Sequence, residues 1–277
     1  MSGKLYLCAT PIGNLGDMSE RLINTLSEVD LIAAEDTRHT LKLLNHLGIK
    51  KPMISYYEHN RREKGLQLVN MLQEGKNIAL VSDAGTPAIS DPGEDLVALC
   101  AEADIEVLPI PGPVAGICAL IVSALPTGRF AFEGFLTMNR KGRMDRLEEI
   151  KNDKRTLIFY EAPHKLRNTL RDMLQVFGDR KISLSREITK LHEETIRTTL
   201  LEAQSLYSDD NPPKGEYVLV IAPAEKSEEE ELFETMTITE HVDFYINQGD
   251  DEKTALKKVA AARKIPKRDV YSEYKLK

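Results

Sequence analysis

The residues of this chain that could do chemistry are gathered in four short loops, each placed directly after an apolar run. They are Thr10-Pro11-Ile12-Gly13-Asn14-Leu15-Gly16-Asp17, Glu35-Asp36-Thr37-Arg38, Ser82-Asp83-Ala84-Gly85-Thr86-Pro87 running on to Ser90-Asp91-Pro92-Gly93, and Pro109-Ile110-Pro111-Gly112-Pro113-Val114-Ala115. Glycine and alanine let a ligand approach the backbone, and proline fixes the turn that presents it. Any one loop could serve chain reversal alone; four of them at strand ends predict a single cleft. The sequence contains no G-x-G-x-x-G, no G-x-x-x-x-G-K-[ST] and no G-x-S-x-G. Rossmann dinucleotide binding, Walker-type nucleotide hydrolysis and the serine-nucleophile elbow therefore lose their main support. The three cysteines, Cys8, Cys100 and Cys118, are widely spaced among apolar neighbours. With no C-x-x-C or Cys/His cluster, they predict buried reduced thiols and no metal site.

The elements that position these loops alternate. Leu5–Ala9, Leu31–Ala34, Ile78–Val81 and Ile105–Ile110 read as buried strands, with helical patterns between them. Asp17-Met18-Ser19-Glu20 resembles a capping box, an acceptor and a glutamate three residues apart, ahead of Leu22, Ile23 and Leu26. A second helix carrying Leu41, Leu44 and Leu47 stops at Gly48, and a third carrying Leu66, Val69 and Leu72 stops at Gly75. Such alternation predicts an α/β domain over residues 1–125, a mostly parallel sheet with helices on both faces. Around Pro126-Thr127-Gly128 the texture changes. Strands over Phe130–Leu136, Thr156–Tyr160, Ile182–Arg186, Thr195–Leu201 and Tyr217–Ala222 predict a second, α+β domain over residues 126–224. The last three leave little room for helices, so antiparallel pairing is expected there. Residues 225–277 read as an acidic linker, Glu225–Glu234, followed by a small helical appendage: a helix face of Ala255, Leu256, Val259 and Ala260, then a short helix after Pro266.

A content of 42% hydrophobic and 29% charged residues is that of a soluble globular protein. No apolar run approaches the roughly 20 residues of a membrane-spanning helix. The amino-terminal segment enters a strand without a charged and then an apolar region, so a cytoplasmic location is expected. The net charge of −7 argues against a generic nucleic-acid binder; such a ligand would need local basic patches. Arg140-Lys141-Gly142-Arg143 with Arg146 is the densest outside the tail, and Arg61-Arg62 with Lys64 the next. From Asp251 onward, nine basic residues stand against four acidic.

Eight motifs in order carry a resemblance: TPIGNLGD (Thr10–Asp17), AEDTR (Ala34–Arg38), SDAGTPAISDPG (Ser82–Gly93), PIPGPVAG (Pro109–Gly116), FEGFL (Phe132–Leu136), FYEAPHKL (Phe159–Leu166), REITKLHEE (Arg186–Glu194) and KGEYVLVI (Lys214–Ile221). In register from about Leu5 to Ile221, the chain resembles the small-subunit ribosomal RNA methyltransferases of the tetrapyrrole-methylase class, which use S-adenosylmethionine. The acidic linker and helical tail are similar too. Val114 departs from the pattern, standing where a small hydroxyl residue is expected.

The resemblance implies two α/β domains with the cofactor in the interdomain cleft, a homodimer, and metal-free 2′-O-methylation of a decoding-centre cytidine in small-subunit (16S) rRNA, free or assembled. Matched motif to motif, Pro11, Asp83, Gly85 and Thr86 lie beside the cofactor. Val114 and Ala115 approach it through their backbones, Tyr160 comes from the second domain, and Gly215 lies near the adenine. Asp83 suits ribose hydroxyls or an amino group, because a carboxylate accepts from both. The candidates for catalysis are Glu35, Asp36 and Arg38 on one loop, faced by Glu133, Arg186, Glu187 and Lys190. Asp36–Arg38 and Arg186–Glu187 could equally be structural ion pairs. His164 and His192 read as hydrogen-bonded loop residues and are set aside. Arg140, Lys141, Arg143 and Arg146 are the expected phosphate contacts. Two rivals remain: a member of the same class acting on a tetrapyrrole or on a modified histidine of a translation factor, and a catalytically silent RNA- or ribosome-binding protein. The AEDTR and REITK loops and the basic tail favour RNA over the first. The intact Asp83 loop speaks against the second.

Overall fold

The computed structural model describes residues 2–225, 232–233 and 235–276, so most of the acidic stretch lies outside the described residues. These fall into two compact units, Met1–Ala224 and Glu225–Lys277.

The larger unit is built on two five-stranded sheets. The first comprises β1 (Leu5–Cys8), β2 (Leu31–Ala34), β3 (Met53–Ser55), β4 (Ile78–Val81) and β5 (Val107–Ile110), in the order β3-β2-β4-β1-β5. Every pairing is parallel. Successive strand residues point to opposite faces, and both faces are apolar here. Leu31, Ala33, Ile78 and Leu80 meet α3 (Arg61–Gln73) and α4 (Gly93–Glu102) through Leu68, Leu72 and Leu96. The alternate residues Ile32, Ala34, Ala79 and Val81 meet α1 (Glu20–Glu28) and α2 (Thr37–Leu47) through Leu22, Leu26 and Leu44. Cys8 and Cys100 are buried in these two layers, and burial pushes their thiols up to about 12 and about 11, so both stay protonated.

The second sheet has the order β6-β7-β10-β8-β9, from β6 (Phe130–Phe135), β7 (Thr156–Glu161), β8 (Lys181–Arg186), β9 (Glu194–Thr199) and β10 (Tyr217–Ile221). Only the β6–β7 pair is parallel; β8, β9 and β10 pair antiparallel, as their short spacing predicts. Leu157, Phe159, Leu219 and Ile221 face α6 (Arg140–Ile150), α7 (Pro163–Phe177) and α8 (Leu200–Ser205). The opposite face, with Ile158, Val218 and Val220, receives Ala119 and Leu120 of α5 (Ala115–Val122). Because α5 follows the last strand of the first sheet yet packs on the second, it ties the two layers together beside the Pro109–Ala115 loop.

Three local expectations are corrected. The cap of α1 is Ser19, whose hydroxyl accepts from the Leu22 amide, and Asp17 closes a short 3-10 turn instead. The strand expected over Thr195–Leu201 ends at Thr199, which caps α8. β3 is a strand that the apolar runs do not predict: its three residues lie on the sheet edge and are only half-buried. In the smaller unit, helices Ile238–Asn247, Glu252–Arg263 and Lys267–Lys275 bury Val242, Ala255, Leu256, Val259 and Val270 against one another. The last begins after Pro266, as expected.

Candidate active site

The chain leaves β1 towards β2 on one side of the first sheet and leaves β4 towards β5 on the other, although β1 and β4 are neighbours. The loops that follow them therefore part to opposite faces and open a crevice at the carboxyl ends of the strands, where α/β sheets place ligands. Backbone bonds fix its edges. Thr10 and Gly85 exchange N–H···O bonds of 2.9 and 3.1 Å, the Thr86 hydroxyl donates to the Pro113 carbonyl at 3.1 Å, and the Asp36 amide donates to Asp83 Oδ1 at 3.0 Å. All four loops thus converge, as their spacing predicts, and loops of the second sheet close the other side. The resulting cleft, about 500 Å³, is lined by Ile12, Glu35, Asp83 and Val114 from the first sheet's loops, and by Tyr160 and Lys190 among those from the second. That volume lies in the ordinary range for small-molecule sites, about 300–1,000 Å³.

Strain is concentrated at this cleft. Among the described residues, seven non-glycine residues have left-handed backbone, and Ala88, Ser90, Glu187 and Thr189, with φ between 51° and 67°, fall in two of its loops. Such conformations cost of order 1–3 kcal/mol each and persist where the surroundings enforce them. Asp91 is one enforcing group: its Oδ1 accepts from the amides of Ala88 and Gly93 at 2.9 and 2.7 Å. Gly215 is another, at φ +80°; a side chain there would bring its Cβ to 2.5 Å from Glu187 Cγ.

The acids of the cleft separate by environment. Burial, with the neighbouring Asp83 charge, raises the Glu35 carboxyl above its ordinary value. Asp36 goes the other way. Its carboxylate holds the Arg38 guanidinium at 2.7 Å and also caps α2, and these bonds hold it well below the usual carboxylate range. Glu187 is lowered by the Glu216 amide and by Lys190. Lys190 sits 2.9 Å from both Glu187 and Glu216; burial alone would lower its ammonium, but the two carboxylates outweigh that and raise it. The Tyr160 hydroxyl accepts from the Gly116 amide at 3.1 Å in the first turn of α5, and burial raises its pKa. Val114, at the cap of α5, gives no side-chain bond, so its departure from the hydroxyl pattern leaves that helix end to backbone donors.

Of the residues expected at the cofactor, Asp83, Gly85, Thr86, Val114, Ala115 and Tyr160 line the cleft. Pro11 lines an adjoining cavity, and Gly215 shapes Glu187 from behind. Of the catalytic candidates, Glu35, Glu187 and Lys190 line it. Glu133 does not: its carboxylate, almost wholly buried, is held 2.6 Å from Arg146. Arg186 is paired with Glu194 at 3.0 Å rather than with Glu187, because β8 and β9 place the two opposite each other. Asp36 and Arg38 pair with each other at the amino terminus of α2 and do not line the cleft.

Of the expected phosphate contacts, the fold withdraws Arg143 from the surface and pairs Arg140 and Arg146 with carboxylates. Arg143 is buried, with Nε and Nη2 at 2.9 and 2.7 Å from one oxygen of the fully buried Asp172, and Nη1 on the carbonyls of Thr137 and Met138. Arg140 also leans on Asp172, and Arg146 is spent on Glu133 and Glu149. Lys141 alone of the four stays exposed without such a bond among the described residues. The residue reading missed Ile12, Asp91, Phe135, Glu216 and Val218 as cleft walls. Phe135 had a signal, Gly134 in FEGFL: the register shift beside Gly134 turns Phe135 edge-on to Tyr160, ring centres 5.5 Å apart.

An apolar cleft with acids on its rim and a helix amino terminus at its floor suits a ligand with a flat ring, hydroxyls and a cationic group. The tetrapyrrole (corrin/porphyrin) methylase family matches residues 4–204. The chain is 51% identical to ribosomal RNA small subunit methyltransferase I of Halalkalibacterium halodurans, over 98% of this chain and 94% of that one. It is 46% identical to the protein of the same name from Bacillus subtilis, over 99% and 95%. The fold is that of uroporphyrin-III C-methyl transferase from Thermus thermophilus complexed with S-adenyl homocysteine, with a TM-score of 0.54 at 16% identity, covering 79% of this chain and 97% of that one. By sequence and by fold, the chain belongs to the tetrapyrrole methylases and, within them, to the ribosomal RNA small subunit methyltransferase I family.

Proposed function

We propose that the protein transfers a methyl group from S-adenosylmethionine to the 2′-hydroxyl of a decoding-centre cytidine in small-subunit (16S) rRNA, as a cytoplasmic homodimer. The observation that carries this is near-full-length identity of about half to enzymes of that name, joined to a cleft whose groups fit the cofactor. Ile12, Val114 and Val218 offer apolar walls to an adenine. Asp83 keeps one carboxylate oxygen free of the Asp36 amide for ribose hydroxyls or the amino group. The amino terminus of α5, which no side chain caps, suits a carboxylate through its dipole and the Ala115 amide. S-adenosylmethionine, when bound, supplies an electrophilic methyl group.

The chain's own part is alignment and management of one proton. Glu35 is the expected candidate that lines the cleft without an ion pair, and its raised pKa suits a group that accepts the proton of a ribose hydroxyl. Lys190, held as an ammonium, cannot take that role; it steadies Glu187 and Glu216. A homodimer is supported by an apolar strip on the outside of α5, where Ile121 is 70% exposed and Ile117 and Val122 flank it. No helix among the described residues is long and apolar enough to cross a membrane. The test offers labelled cofactor with equal amounts of undermethylated small subunits, free small-subunit rRNA and a reduced tetrapyrrole. Label in RNA supports the reading; label in the tetrapyrrole, or in none, refutes it.

A further inference from the structure

A second cavity, of about 310 Å³, opens beside the cleft and shares Ser82 and Asp83 with it. One wall is the loop after β1, with Pro11; the other is α2, with His39, Lys42, Leu43 and His46. Spacings of three, four and seven residues put these four on one helical face; Thr40, buried, lies at the base of the cavity, and Leu44 packs into the core. His39, Lys42 and His46 are exposed, and Lys42 has no ion-pair partner among the described residues. The contrast with the Arg140–Arg146 cluster is sharp, since three of its four cations are held in ion pairs, Arg143 inside the fold.

We infer that this cavity receives the target nucleotide of the RNA, drawn out of its stack, with Lys42 on an adjacent phosphate and His39, His46, Pro11 and Leu43 around the base. The inference rests on the function proposed above. An enzyme that acts on one nucleotide of structured RNA gains access to it by unstacking, and unstacked bases are held on ring and apolar surfaces. The wall shared through Asp83 puts such a nucleotide beside the cofactor cleft, where its ribose must be for transfer. The pocket volume matches a ligand of nucleotide size. On a protein of net charge −7, a free lysine flanked by two histidines is also a local site to which a phosphate can be drawn.

The test uses the full chain, small subunits from cells lacking the modification, and saturating S-adenosylmethionine. Lys42→Ala should raise KM for subunits severalfold and lower the salt dependence of kcat/KM by about one phosphate contact, with Lys42→Arg restoring both. The double variant His39→Ala/His46→Ala should lower kcat/KM by roughly 5- to 150-fold, the range for loss of one stacked base. Cofactor affinity by calorimetry and the melting temperature should stay at wild-type values, since all three side chains are exposed. Unchanged KM and salt slope in Lys42→Ala together with unchanged kcat/KM in the double variant would overturn the inference while leaving the proposed function standing. Collapse of cofactor affinity would also overturn it, by assigning the cavity to the cofactor. A wild-type protein that binds cofactor yet methylates no RNA would refute the function, and this inference with it.

Discussion

Glu35 and Asp36 are adjacent acids with opposite fates, and the difference lies in what the backbone does between them. Asp36 turns into the cap of α2 and closes on Arg38; Glu35, one residue earlier, stays at the end of β2 and faces the cleft. The sequence showed both acids and the arginine, and it left ion pair and catalysis as equal readings, because which carboxylate points where depends on a single turn. Two predictions belong here. Glu35→Gln should lower kcat by about 10²- to 10⁴-fold, the usual worth of a positioned base, with cofactor affinity little changed. Because burial raises the Glu35 pKa, its base form is lost as pH falls through that raised value. The wild-type single-turnover rate should therefore rise with pH across an acidic limb that Glu35→Gln lacks; identical profiles for the two proteins would remove Glu35 from the chemistry. Asp83→Asn keeps an acceptor for the Asp36 amide and removes only the charge. Loss of a charged hydrogen bond costs about 1.5–3 kcal/mol, so calorimetry should find S-adenosylmethionine bound roughly 10- to 150-fold more weakly, and wild-type affinity would place Asp83 outside the site.

At the scale of elements, strands buried on both faces were the most legible feature, since continuous apolar runs such as Ile78–Val81 have no other economical home. Gly48 was legible for a similar reason: its φ of 69° ends α2 at the position a left-handed residue is needed. The edge strand β3 and the early end of β9 were not, because half-buried residues leave a weak pattern. Least legible was the α6–α7 contact. Arg143 reads as one member of a basic run, and only the packing of α6 on α7 reveals Asp172, twenty-nine residues further along the chain, beneath it. Burial alone would raise the Asp172 carboxyl, yet Arg143 and Arg140 outweigh it and hold it low. Removing one partner of a buried pair leaves the other charge stranded, typically at about 3–5 kcal/mol. Arg143→Ala should sit near the lower end, about 3 kcal/mol, since Arg140 still reaches Asp172. Urea unfolding would measure it; a loss under about 0.5 kcal/mol, the scale of ordinary surface substitutions, would return Arg143 to the surface and to the RNA.

For the whole molecule, the −7 charge and the RNA reading stand in tension only if the surface is averaged. The basic residues that matter are those the fold leaves unpaired, and these cannot be separated from paired ones by composition. Association was likewise invisible in the residues and rested on the resemblance alone. The structure adds the exposed strip along α5, of a kind that marks protein contacts when it is contiguous. Light scattering at micromolar concentration should give twice the chain mass of 31.1 kDa, and Ile121→Glu should shift it toward one chain. A wild-type monomer would end that part of the account. The central claim concerns the atom that is methylated, and one measurement addresses it directly. Small subunits lacking the modification are incubated with the protein and methyl-labelled S-adenosylmethionine, and the rRNA is then hydrolysed in alkali. A 2′-O-methyl group blocks cleavage at its own nucleotide, so the account predicts label in a single alkali-resistant dinucleotide that begins with cytidine. Label released in ordinary mononucleotides, as from a methylated base, or recovered in ribosomal protein, would contradict it.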